Sequence, residues 1–177
     1  NDAAVMRLPA SYEVVAGSRL AICGENLFGA GDFTLDDYDV ELCASNGFSR
    51  GATVTVPAGR QFYIRICELS STPANGNLST WAGVDRDVPI NVALGGAGAV
   101  LLFQNNCAAH LVGDITGEGK VDASGTGSVS IAGDIAYTGL FRSNHPDDGN
   151  DITYRLLQTK GTTTFPGFEI VRKKGCH

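Results

Sequence analysis

The side chains of this 177-residue chain best equipped for chemistry are its cysteines, its histidines and its dense aspartate clusters. Thiolates and imidazoles bind zinc and support redox chemistry when they are closely spaced. Cys23, Cys43, Cys67, Cys107 and Cys176 contain no C-x-x-C pair, which argues against both. Wide spacing suits bridges between strands, so Cys23, Cys43, Cys67 and Cys107 are the disulfide candidates, with their pairing left open. Cys176, beside the terminal His177, is the odd one out and the candidate for an intermolecular or anchoring bond. Bridges form in oxidising compartments, which points to a secreted, cell-surface or virion-surface protein.

Hard cations need converging oxygens. The segment "NHPDDGND" (144–151) packs Asp147, Asp148, Asn150 and Asp151 into one short loop, the best candidate for calcium. The same letters are a turn signature. "GDITGEGKVDASG" (113–125) resembles the calcium loops of dockerins and EF-hands. Asp114, Thr116, Glu118 and Asp122 match the first, third, fifth and ninth loop positions, and Gly119 matches the sharp turn. Gly125 stands where the resemblance requires a bidentate carboxylate, and a β-turn at "TGEG" accounts for the same residues.

"GFSRG" (47–51) matches G-x-S-x-G, the nucleophile elbow of α/β-hydrolases. That elbow needs a strand before the serine and a helix after it. Here "ATVTV" follows Ser49 and reads as a strand, so a glycine-flanked turn is expected. Only His110, His145 and His177 can supply a base. No supported catalytic set emerges, and the sequence does not point to an enzyme.

The elements that must position these residues alternate with period two. In "ATVTVPAGRQFYIRICEL" (52–69) Val54, Val56, Phe62, Ile64 and Ile66 share one face, and "PAG" turns the chain, as a hairpin or a two-strand corner. Further strands are expected in "RLAICG", "DYDVELC", "DVPINVAL", "AVLLFQN", "HLVGDI", "GKVDAS", "GSVSIAGDIAYTG", "DITYRLLQT" and "FEIVRK". Asparagine- and glycine-rich turns separate them. "NCAAHLVG" can make two helical turns at most. The acidic run "DFTLDDYDVE" (32–41) reads as a solvated strand edge that discourages stray pairing. Residues 113–139 are locally repetitive, but no fixed solenoid period stands out, so successive hairpins are expected. The fold class is all-β: an antiparallel sandwich or jelly-roll-like domain over residues 16–177, with residues 1–15 as an extended N-terminal arm.

Composition narrows the function. Glycine is abundant at 23 residues, charged residues make up 18%, and net charge is −6. The one basic cluster, Arg172 to Lys174, is too small for a nucleic-acid surface, and no apolar run is long enough to insert in a membrane. Trp81 reads as core before sugar platform, and Asn77 opens a glycosylation sequon. The start "NDAAVMRLP" is what a mature secreted chain would show once its leader is removed.

The expected role is an extracellular structural subunit with other copies of itself as partners, in a pilus-like filament, surface layer or coat. It would assemble by strand exchange and terminal contacts. The alternative is a monomeric secreted module that binds carbohydrate or protein, with calcium at Asp147–Asp151. No other cofactor is implied.

Overall fold

The computed structural model describes residues 16–22, 31–42, 47–65, 87–105, 109–125, 129–144, 156–158, 163–164 and 167–171. Among these, every regular element is a strand. The first five are β1 (Arg19–Ile22), β2 (Phe33–Thr34), β3 (Asp39–Leu42), β4 (Thr53–Pro57) and β5 (Gln61–Ile64). Next come β6 (Asp87–Val88), β7 (Asn91–Asn105), β8 (Ala109–Leu111), β9 (Ile115–Gly125), β10 (Val129–Ile131) and β11 (Ile135–Asn144). The last are β12 (Leu156–Gln158), β13 (Thr163–Thr164) and β14 (Phe168–Val171).

Every pairing between these strands is parallel. Ile115 lies beside Ile135 and Val129 beside Ala109, each twenty positions apart. From β6 onward, each coil of chain therefore lays a strand on each of three faces and stacks on the coil before it. One face is the sheet β6-β8-β10-β12. A second joins β2, β4, the first half of β7, and the starts of β9 and β11, with β13 beyond them. The third runs β1-β3-β5-β7-β9-β11-β14.

The expectation of an all-β chain holds, but the antiparallel sandwich or jelly roll does not: the chain is a parallel β-solenoid. Period two says that a strand buries one face; it carries nothing about the direction of the neighbour. The "PAG" turn is the two-strand corner, not the hairpin. β4 and β5 both pair with β7, one with Asn91–Gly95 and the other with Val100–Phe103, on either side of its bend. A register shift between Gly95 and Val100 marks that bend. Gly117 takes it in β9, at a φ of 91° that only glycine adopts without strain. The expected two helical turns at "NCAAHLVG" are also replaced, since Ala109–Leu111 is strand β8.

The core fills the inside of the coil as stacked rows. Val88, Leu111 and Ile131 form one row. Val54, Val92, Ile115 and Ile135 form another, and Val40, Phe62, Leu101, Val121 and Phe141 a third, all buried. Each apolar side chain packs on its counterpart in the next coil, which removes both from water and sets the register. Phe48 packs between Phe33 and Phe62 in the N-terminal coils, with ring centroids 5.6 and 6.1 Å apart.

Candidate functional site

With the apolar rows turned inward, the polar side chains stand in rows on the three outer faces and at the corners. The corner before the second face is held by an Asx column. Asn91 Oδ1 accepts the Asp114 backbone N–H at 3.0 Å, and Asp114 Oδ1 accepts that of Asp134 at 2.8 Å. Asp32 Oδ1 does the same for Thr53 two coils earlier. The calcium-loop reading of residues 113–125 is corrected here. Ile115–Gly125 is extended strand, which carries Asp114 and Asp122 far apart instead of around one centre. Among the described residues no group of three or more metal-binding side chains converges.

Only part of the acidic run 32–41 is a sheet edge: among the described residues β2 pairs with β4 alone, but β3 is internal. β3 sits between β1 and β5, and its carboxylates are engaged. Asp39 Oδ1 accepts the Gln61 N–H at 2.9 Å. Glu41 is buried between Arg19 at 3.0 Å and Arg65 at 3.3 Å, and the Arg19 guanidinium also lies 3.8 Å over the Tyr63 ring. Partial burial works against the charge of Arg19, but its contacts with Glu41 and Tyr63 outweigh that and hold it above its ordinary value.

A second charged knot lies further along this face. Asp122 is buried, with Lys120 at 3.2 Å and Arg142 from the next coil closing on the same oxygen, Oδ2. Its Oδ1 is enclosed with no hydrogen bond among the described residues. A shallow groove of about 400 Å3 runs along the corner between the second and third faces. It is lined by Val100, Glu118, Lys120, Thr138 and Leu140, among others.

On the first face His110 is bonded through Nδ1 to Asp87 Oδ1 at 2.6 Å, while its Nε2 is enclosed and has no hydrogen-bond partner among the described residues. Sequence reading passed over this pair because Asp87 and His110 lie twenty-three positions apart. Only the parallel register sets them side by side.

Ser49 lies half-buried in a turn closed by the Ala52 N–H to the Ser49 carbonyl at 3.0 Å, and β4 follows, so the glycine-flanked turn is what is found. Cys23, Cys43, Cys67, Cys107 and Cys176 all lie outside the described residues. So do Asp147, Asp148, Asn150 and Asp151, Trp81, the Asn77 sequon and the arm 1–15.

No helix among the described residues is long and apolar enough to cross a membrane. A scan against protein-family models and searches of curated proteins and solved structures found no match to this chain.

Proposed function

We propose that the chain is an extracellular structural subunit that assembles with copies of itself, end to end along the solenoid axis. The observation that carries this reading is the agreement between its two terminal strands. Among the described residues β1 pairs only with β3, and β14 only with β11, so each leaves one side of its backbone without a strand. Following the register along the third face, Leu20 and Phe168 hold the two end positions of the row that runs through Val40, Phe62, Leu101, Val121 and Phe141. Ile22 and Ile170 hold the end positions of the row that runs through Leu42, Ile64, Phe103, Ala123 and Ser143. A second copy added beyond β14 would set Leu20 on Phe168 and Ile22 on Ile170, continuing both rows without a change of register. Main-chain hydrogen bonds supply affinity in such strand addition, and side-chain rows supply specificity. The contact is head to tail and does not close, so it propagates as a filament.

Light scattering on a concentration series of the full chain tests this reading. Axial assembly predicts mass that grows with concentration, and loss of that growth on Leu20→Lys or Ile22→Lys. A monomer at every concentration would contradict it. The corner groove favours a second reading, a monomeric module that takes up a chain-like ligand along Val100, Lys120 and Leu140. Glycan-array binding by a strictly monomeric protein, weakened by Lys120→Ala, would favour that reading.

A further inference from the structure

We propose that the corner groove binds a neutral, extended glycan, its hexose rings laid one after another along the solenoid axis. The inference deepens the second reading above and rests on the groove being a ligand site. It does not depend on whether copies stack, because β7, β9 and β11 lie inside the sheet and away from its ends.

The groove exists because stacked coils need glycine at this corner. A Cβ on Gly119 would come within 2.6 Å of the Ala99 carbonyl oxygen, and one on Gly139 would overlap the Gly119 carbonyl. Bare backbone therefore floors the groove between two walls of side chains. One wall carries Val100, Lys120 and Leu140 at a single register position of successive coils. The other carries Glu118 and Thr138, paired in the same way. Strand spacing makes the groove straight and roughly 10 Å long. That length and a volume of about 400 Å3 fit a short stretch of a chain.

The polar groups divide by role. Glu118 is exposed, has no hydrogen bond or ion pair among the described residues, and as a carboxylate only accepts. Thr138 Oγ1 gives its hydrogen to the Gly117 carbonyl at 3.4 Å, which leaves its lone pairs to accept. Lys120 Nζ stands 3.2 Å from Asp122 Oδ2, which engages one of its N–H groups and leaves the others to donate. Asp122 is buried, so this tether holds Lys120 in place before a ligand arrives. Val100 and Leu140, both half-buried, flank the ammonium with aliphatic surface. Acceptors on one wall, a donor on the other and aliphatic patches beside it match a sugar ring, whose hydroxyls donate and accept and whose C–H faces are apolar.

Other chain-like ligands lack what they need. A peptide that binds by strand addition needs an open sheet edge. Here β7, β9 and β11 are each paired on both sides. A nucleic acid needs a surplus of cations, as would a polyanionic glycan, whereas Glu118 and Asp122 offset Lys120 and Arg142. A lipid tail would cover charged groups on both walls without pairing them.

The test is calorimetric titration of the full chain with three hexamers: cellohexaose, which is neutral, the anionic hexamer of galacturonate and the cationic hexamer of glucosamine. The expected result is one site for cellohexaose, with affinity rising from cellobiose to cellotriose and then levelling as the groove is filled. Glu118→Gln should weaken binding about tenfold and Thr138→Val about threefold, both with an unchanged melting temperature. Thr34→Ala, on β2 away from the groove, should bind like wild type. Failure of cellohexaose to bind, or binding that neither groove substitution weakens, would overturn the proposal. If a charged hexamer alone binds and the same substitutions weaken it, the neutral-glycan assignment fails while the groove stands as a ligand site. If none of the three binds, the reading of the groove as a ligand site fails with it.

Discussion

Asp114 Oδ1 accepts the backbone N–H of Asp134 at 2.8 Å, so one aspartate fastens the next across twenty residues of chain. The same atom of Asn91 fastens Asp114 at 3.0 Å. A short side chain with an acceptor oxygen is what this corner requires, and charge is secondary. Asp114→Asn should therefore leave stability nearly unchanged, while Asp114→Ala should cost about 1 kcal/mol. Urea unfolding of the two variants separates these outcomes.

Glycines at the corners permit coils to stack at strand spacing. A Cβ on Gly113 would run into the Ile90 carbonyl, and one on Gly139 into the Gly119 carbonyl, where φ is also +140°. A Cβ on Gly31 would meet nothing. Gly139→Ala combines backbone strain with overlap and should lose about 3 kcal/mol or more. Gly113→Ala should be destabilised through overlap alone, and Gly31→Ala should melt like wild type. Thermal unfolding ranks the three.

Tyr137 points into the core, and its hydroxyl finds no hydrogen-bond partner among the described residues. Tyr137→Phe should stabilise the chain by about 1 kcal/mol, since it removes an unpaired buried group without leaving a cavity. Burial pushes the Tyr137 phenol well above its ordinary value of 10.0. The unfolded chain sheds this proton once pH passes 10 while the folded chain keeps it. Tyr137 therefore draws stability down with rising pH in that alkaline range, by up to about 1.4 kcal/mol per pH unit. Tyr137→Phe should flatten the decline measured by denaturation between neutral and alkaline pH.

Asp122 and Arg142 meet across one coil, with Lys120 as a second cation. Arg142→Ala would leave a buried carboxylate with one partner and should cost about 2 kcal/mol, because an under-compensated buried charge is penalised strongly. The double change Asp122→Ala with Arg142→Ala should recover part of that loss. A double-mutant cycle in urea measures the coupling.

The strands themselves were legible in the sequence. Val54, Val56, Phe62 and Ile64 alternate with polar residues and are buried as that alternation requires. Parallel pairing was not legible, because its partners lie a whole coil away. The clearest trace is "GDI", which occurs at Gly113–Ile115 and again at Gly133–Ile135, twenty positions on. Elsewhere the interval drifts: Val40 pairs with Phe62, Phe62 with Leu101, and Phe141 with Phe168. A solenoid tolerates insertions at its corners, so the spacing can vary while the stacked rows persist. Glu41 misled for a related reason. Its two arginines, Arg19 and Arg65, come from neighbouring coils, so a carboxylate that looks solvated in the sequence is paired only after folding.

Axial stacking of solenoids carries a physical signature that side-by-side association of the same solenoids does not share. Fibre diffraction from concentrated, aligned full-length protein should give a meridional reflection near 4.8 Å, because coils of successive subunits repeat along the filament axis at strand spacing. A species that stays monomeric, or an assembly in which that spacing runs across the long axis, would contradict it.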